Sequence, residues 1–226
     1  MANPECRLCS FKSPAAELLS DDELKALESS CAQINFKKGE IIFREGTLAT
    51  NIAYLKSGLV KVHMKGPVGD KILRLTKAPA YLGLPTTFGD KVNHYSATAL
   101  TDVHICFISL DTFRDFIFKN GSFAYEIILD LCRNELSDYQ RFTNMSQKQL
   151  PGRLAEILLC MSHEVFKSSR YELPLTISEL ADFISSSRES VSRQLSEFSK
   201  EGIINLNKKE LQILNEEFLR KICSKG

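Results

Sequence analysis

At 226 residues the chain exceeds the usual single domain of ~100 to 200 residues and falls short of three, so two domains are expected. Its apolar share of 43% and charged share of 25% are ordinary globular usage, which excludes a disordered chain, a collagen-like repeat and a disulfide scaffold. The net charge is only +1, with Lys and Arg spread along the chain, so bulk charge says nothing of partners and any nucleic-acid reading rests on local placement.

The opening MANPECRLCSFKS has no apolar stretch that could act as a secretory signal, and no later run nears the ~20 apolar residues that cross a bilayer. A cytoplasmic protein without membrane contact is expected. The seven cysteines, at 6, 9, 31, 106, 132, 160 and 223, are odd in number and scattered, which in a reducing compartment argues against a disulfide framework. Most are expected as reduced thiols, with Cys31, Cys132 and Cys160 serving as small buried hydrophobes.

Ser20 followed by Glu23 offers a capping box, and Leu24 and Leu27 follow at helical spacing, predicting a helix over 21–32. From Ile34 to Leu110 the pattern becomes β-rich. Short runs such as Ile41-Ile42-Phe43, Ala53-Tyr54-Leu55, Leu59 to His63, Ile72 to Leu75, Tyr95 to Ala99 and His104 to Ile108 are separated by glycines at 39, 46, 58, 66, 69 and 89, which reads as a β-barrel or jelly roll. Helical periodicity returns at Asp111 and then runs from Phe123 to Gln149. Ile128, Cys132, Leu136, Tyr139, Phe142 and Met145 recur there on one stripe. A helix of that length wants a partner, either its own barrel or, as the favoured reading, a second copy along a parallel seam.

Pro151-Gly152 ends that helix and suits the start of another, from Arg153 to Phe166, with Leu154, Ile157, Leu158 and Met161 on one face. The expected organisation is residues 1–120 as barrel with its leading helix, 121–150 as dimerisation helix and 151–226 as a second domain. In that second domain Thr176 and Glu179 form a capping box, and Ser186 with Glu189 could form another just beyond a short turn, which is helix-turn-helix spacing. On the second helix Val191, Leu195 and Phe198 share a face fit for burial. Arg188, Glu189, Ser192, Arg193 and Ser196 then point outward, a set whose guanidiniums match guanine in the major groove and whose carboxylate can accept from cytosine. Gly202 stops the helix, and Ile203 to Leu206, Asn207 to Glu210 and Leu211 to Leu214 read as strand, turn and strand, a wing beside the reading helix. Lys208 and Lys209 at its tip, Lys200 and Ser187 are candidate phosphate contacts, the alternative for the lysines being solubilising charge.

In order and in motif the chain resembles the CRP/FNR family of bacterial regulators over nearly its full length. Tyr54-Leu55-Lys56-Ser57-Gly58 resembles that family's barrel strand and turn, and SRESVSR over 187–193 is similar to its SRETVGR-type reading helix. Ser185 stands where the family often has Gly. The resemblance implies an α+β chain with a cyclic-nucleotide-binding-like double-stranded β-helix (a jelly-roll barrel), a long dimerisation helix and a C-terminal winged helix-turn-helix. It implies Arg188, Glu189, Ser192 and Arg193 as base readers, a homodimer on a TTGA- or TGTGA-like palindrome of double-stranded DNA, and RNA polymerase as a further partner.

In cyclic-AMP-binding members of the family a Gly-Glu-Leu segment and an Arg-Ser-Ala segment hold ribose and phosphate; the stretches here read Gly83-Leu84-Pro85 and Tyr95-Ser96-Ala97. The missing carboxylate and guanidinium disfavour cyclic AMP. Gly83, Leu84, Tyr95, Ser96, Ala97 and Tyr139 remain as an effector pocket for an unidentified signal. The FNR branch implies an iron–sulfur cluster, for which Cys6, Cys9 and Cys106 fall at matching places while the remaining lead cysteine is replaced near Ala15; Cys31 or a carboxylate would have to complete the set. A thiol redox sensor is the other reading of these cysteines. His63 and His94 could contact a haem, and no role is assigned to them. The competing function is a ligand-sensing module that controls a partner protein without reading DNA. An enzyme is not expected, since P-loop, GxSxG and HExxH signatures are all missing.

Overall fold

The structure is a computed structural model that describes residues 6–67 and 69–226. It divides into two compact units, 1–135 and 136–226, the division falling inside the longest helix. Element order follows the expected α+β architecture of barrel, long helix and winged helix-turn-helix.

The first unit opens with a 3-10 turn at Cys6–Leu8, a short helix α1 (Pro14–Glu17) and α2 (Asp21–Ser30). The Ser20–Glu23 capping box is present with both of its bonds: the Glu23 carboxylate accepts from the Ser20 N–H at 2.7 Å, and the Ser20 hydroxyl accepts from the Glu23 N–H at 3.3 Å. The helix stops two residues short of the expected boundary because Cys31 starts a strand. Eight strands follow, β1 (Cys31–Phe36), β2 (Ile41–Phe43), β3 (Asn51–Ser57), β4 (Leu59–Gly66), β5 (Gly69–Lys77), β6 (Ala80–Leu82), β7 (Ser96–Ala99) and β8 (Val103–Ser109). They make two antiparallel four-stranded sheets, ordered β1-β8-β3-β6 and β2-β7-β4-β5, that face each other as a jelly roll. Alternation along a strand divides its residues between two cores. Ala53, Leu55 and Ile105 face inward with Val60, Val62, Ala97 and Ala99. Ile52, Tyr54, Cys106 and Ile108 face outward, where α2, α4 (Leu110–Lys119), the lead and the start of α5 cover them. With both faces of β3 covered, four residues in a row, Ile52 to Leu55, are buried. A short helix α3 (Leu84–Phe88) fills the connection after β6.

Helix α5 spans Gly121–Gln147. Phe123 and Ile127 are buried, but from Ile128 onward the apolar stripe is open: Ile128, Leu136, Tyr139 and Phe142 are exposed.

The second unit continues with α6 (Leu150–Cys160), extended by a π-helical turn to Phe166, then β9 (Arg170–Glu172), α7 (Ile177–Phe183), α8 (Arg188–Lys200), β10 (Ile204–Asn207), β11 (Glu210–Ile213) and α9 (Glu216–Lys225). Pro151 occupies the first turn of α6 as expected, so the helix begins slightly earlier than Arg153. The wing gains a strand that the sequence reading lacked, giving the order β10-β11-β9.

The cysteines depart from expectation. Cys31 and Cys106 are joined in a disulfide with their Cα atoms 6.2 Å apart. The pair is diagonal across β1 and β8, since Cys31 lies opposite Ile108 and Cys106 opposite Gln33. Cys132 and Cys160 are exposed rather than core residues, because their helical positions turn outward, and Cys31 is only half-buried.

Candidate nucleic-acid interface

Two local signals position the reading helix. The Thr176 hydroxyl accepts from the Glu179 N–H at 3.2 Å while the Glu179 carboxylate accepts from the Thr176 N–H at 2.8 Å, so α7 starts on a closed capping box. The turn of residues 184–187 then delivers α8. Its cap is Ser187, not Ser186: the Ser187 hydroxyl accepts from the Ser190 N–H at 3.1 Å, and the expected Ser186–Glu189 box does not form. Val191, Leu195 and Phe198 share the buried face of the helix. Arg188, Glu189, Ser192, Arg193 and Ser196 are exposed on the other side. Among the described residues, the side chains of Arg188, Glu189 and Arg193 have no internal ion pair or hydrogen bond, which leaves their donors and acceptors for an outside partner. The Ser196 hydroxyl instead donates to the Ser192 carbonyl at 3.0 Å. Ser187 spends its side chain on the cap, so a phosphate would meet the free N–H groups of the helix start there rather than its hydroxyl.

The end of α8 is equally defined. Gly202 sits at φ 68°, its N–H donating to the Ser199 carbonyl at 3.1 Å and the Ile203 N–H to the Phe198 carbonyl at 2.9 Å, a Schellman motif with Ile203 buried beside Phe198. That motif turns the chain into the wing. Lys200, Lys208 and Lys209 are exposed, the last two at the hairpin tip where Asn207 faces Glu210. Sequence reasoning missed three braces. The Glu210 carboxylate accepts from Arg170 at 2.6 Å, tying β9 to the tip and holding that carboxyl below its usual range. The Arg141 guanidinium lies 4.3 Å from the Phe183 ring centroid and donates to the Phe183 carbonyl at 3.3 Å, linking α5 to the end of α7. The Tyr171 hydroxyl donates to the Leu158 carbonyl at 2.9 Å. Stacking of an Arg on a ring distant in sequence has no local signal, whereas the Arg170–Glu210 pair follows once β9 is paired with β11.

In the barrel, residues of the stretches expected to hold an effector make several contacts within the unit. Leu84 and Ala97 are buried, the Ser96 hydroxyl accepts from the Glu45 N–H at 3.0 Å, and Tyr95 packs 5.9 Å from Phe43. Gly83, at φ 85°, starts α3, and its carbonyl receives the Thr86 and Thr87 hydroxyls at 2.9 and 2.8 Å. The adjoining cleft, about 360 Å³, is bounded by Phe43, Ala53, Leu82, Gly83, Asn93 and Phe107, and no charged side chain lines it. Tyr139 lies exposed on α5 in the second unit.

The cysteines do not fit a cluster. Cys106 is bonded to Cys31, and among the described residues no group of three or more His, Cys, Asp or Glu gathers as a metal site. Burial, followed by the nearby Glu28 and Cys9, pushes the Cys6 thiol up to about 11. The histidines are no better suited to haem. The His63 ring meets the Thr98 hydroxyl at 2.9 Å and Asp70 at 3.5 Å, and His94 pairs with Asp90 at 2.9 Å.

A capped reading helix with a bare polar face, a basic wing and a jelly-roll barrel define a DNA-binding transcriptional regulator with a sensor-type domain. The chain belongs to the CRP/FNR family: residues 33–120 match the Cyclic nucleotide-binding domain and residues 152–222 the Crp-like helix-turn-helix domain. It is 25% identical over 203 residues to the CRP-like cAMP-activated global transcriptional regulator of Mycobacterium tuberculosis, covering 88% of this chain and 91% of that one. Identity is also 25% to the Anaerobic regulatory protein of Bacillus subtilis, over 91% of this chain and 89% of the relative. A CRP-family transcriptional regulator from Thermus thermophilus shares the fold with a TM-score of 0.75 at 22% identity, over 84% of this chain and 96% of that structure.

Proposed function

We propose that the protein acts as a homodimer that places α8 of each protomer into successive major grooves of a palindromic duplex, about 34 Å apart. Arg188, Glu189, Ser192 and Arg193 read base edges. Lys200, Lys208 and Lys209, with the N-terminus of α8 at Ser187, contact phosphate. The observation that carries this reading is the outward, internally unpaired set Arg188, Glu189 and Arg193 on a helix whose opposite face is fully buried. The exposed stripe of α5 supplies the seam between copies. An effector acting on the barrel unit biases the reading heads through α5, and RNA polymerase is the partner through which binding becomes regulation, in the cytoplasm.

Cyclic AMP is not the effector in this reading. The cleft beside Gly83 carries no guanidinium for a phosphate and no carboxylate for ribose hydroxyls, and burying those ligand groups unpaired costs more than the ring contacts return.

Selection of binding sites from random duplexes tests the proposal. The wild-type protein enriches a palindrome of TTGA or TGTGA type. Arg193→Ala relaxes one base pair per half-site, worth ~1 to 3 kcal/mol, while Lys209→Ala weakens all sequences alike and lowers the salt slope. An unchanged base preference in Arg193→Ala would refute the assignment of the reading face.

A further inference from the structure

The barrel unit has a second cavity, with a lining different from that of the cleft beside Gly83. It lies beneath the N-terminal lead. Its walls are apolar and aromatic: Leu19 and Leu27 on one side, Ile108 on the sheet, and Phe113, Phe116 and Phe123 on α4 and the first turn of α5. No Asp or Glu lines it, yet two half-buried lysines do. Lys12 donates to the Arg7 carbonyl at 3.2 Å, and Lys56 reaches only the Gln33 amide oxygen, at 3.5 Å. Neither has a carboxylate partner among the described residues. Two ammonium groups on the wall of an apolar chamber are complementary to a molecule with the opposite distribution, one anionic end on an apolar body.

We propose that this cavity binds a small amphiphilic carboxylate, its hydrocarbon or ring against Phe113, Phe116 and Phe123 and its carboxylate between Lys12 and Lys56. The inference rests on the regulator reading above and assigns the class of signal and its place of entry. The geometry also supplies a route outward. Phe113 stacks edge-on against Tyr81 at 5.6 Å and Phe123 at 5.2 Å, and Tyr81 lies 4.8 Å from Tyr54, so filling the chamber presses on a row of rings that ends on α5. The Tyr81 and Tyr54 hydroxyls bond Ser13 at 2.6 Å and the Phe11 carbonyl at 2.7 Å, which couples the lead to the same row.

Calorimetric titration of the full-length protein with octanoate, octan-1-ol and octylamine tests this. Octanoate is expected to bind once per protomer and more tightly than the alcohol or the amine. Lys56→Met raises the octanoate dissociation constant about tenfold, the loss of one charge-assisted contact, and leaves octan-1-ol unchanged. Lys56→Arg retains octanoate binding, and thermal unfolding of both variants at the wild-type temperature confirms that they fold. Equal affinity for acid and alcohol, unaltered octanoate binding in Lys56→Met, or no binding by the wild-type protein overturns the proposal. If octanoate fails while the protein still selects a palindrome, the cavity assignment alone falls; if octanoate binds and no sequence is selected, the DNA-reading proposal falls instead.

Discussion

Replacing Leu136 by Asp tests whether the open stripe of α5 holds two copies together. Ile128, Leu136, Tyr139 and Phe142 are 53%, 66%, 59% and 76% exposed, so each has more than half its surface left to bury. Full burial of such side chains is worth ~1.5 to 3 kcal/mol apiece. The four therefore offer ~5 kcal/mol per protomer and ~10 kcal/mol per pair, enough to offset an association cost of ~4 to 15 kcal/mol only if the stripe is continuous. Leu136→Asp removes ~1 to 2 kcal/mol of that from each copy and sets two carboxylates in the seam, where an unpaired buried charge costs several kcal/mol. A total near ~5 kcal/mol corresponds to more than a thousandfold rise in the dimer dissociation constant. Sedimentation equilibrium over a wide concentration range reads this directly, with Ser137→Asp, on the opposite side of the helix, as the control that stays dimeric. Because Leu136 is exposed within the single chain, the fold itself is expected to survive, and circular dichroism should be unchanged. A Leu136→Asp protein that dimerises as tightly as wild type would refute the seam.

Further outcomes follow from the backbone and from one thiol. Gly58 has φ 94°, and a Cβ there would lie 2.5 Å from the Asp102 carbonyl oxygen and 2.7 Å from Val103, so Gly58→Ala should destabilise the barrel unit by more than ~3 kcal/mol. Gly202 has φ 68° with open space around it, so Gly202→Ala should cost only ~1 kcal/mol, in the second unit; differential scanning calorimetry distinguishes the two, and equal losses would contradict the packing argument. Ser185 is held at φ 52° in the helix-turn-helix turn, and Ser185→Gly should raise the melting temperature of the second unit by a few degrees, since ~1 to 2 kcal/mol of left-handed strain exceeds the ~0.5 to 1 kcal/mol of added chain entropy. The Cys6 thiol, pushed up to about 11 by burial, keeps its proton in the folded chain while the unfolded chain loses it above the ordinary value of 9.0. Stability is therefore unaffected by this group below about pH 9 and falls as pH rises toward 11, by at most about 3 kcal/mol; denaturant titrations of wild type and Cys6→Ala should diverge only in that window.

How much of this could be read from the sequence depends on how local each signal is. The capping boxes at Ser20 and Thr176, the buried face of α8 and the Gly202 stop each depend on residues within about one turn of each other, and all four stand in the structure as expected. The cap of α8 slipped by one residue because Ser185, Ser186 and Ser187 offer the same chemistry three times. Only burial of Val191, Leu195 and Phe198 against the rest of the unit selects among them. Helix α9 had a readable start, with the Asn215 side chain capping at Phe218 and Glu216-Glu217 in the first turn. Strand β1 had none, since its partner β8 lies some seventy residues away and its first residue continues a helical pattern.

The same distinction separates the two functional surfaces. The proposed DNA-reading face lies on a single helix, so spacing alone exposes Arg188, Glu189 and Arg193 together, and a family resemblance carried by seven consecutive residues points to them. The sensor surface has no such economy. Its cavity draws on the lead, α2, β1, β3, β8, α4 and α5, and the Cys31–Cys106 bond joins residues separated by 75 positions. The stretches expected to hold an effector, Gly83-Leu84 and Tyr95-Ser96-Ala97, make packing contacts or hydrogen bonds within the barrel unit, while Lys12 and Lys56, which no motif marks, line the chamber beneath the lead. A regulator that keeps its reading helix while changing its signal would show this pattern. The readout is held by local chemistry that every operator contact constrains, whereas the input is set by whichever distant side chains the fold happens to bring around a cavity.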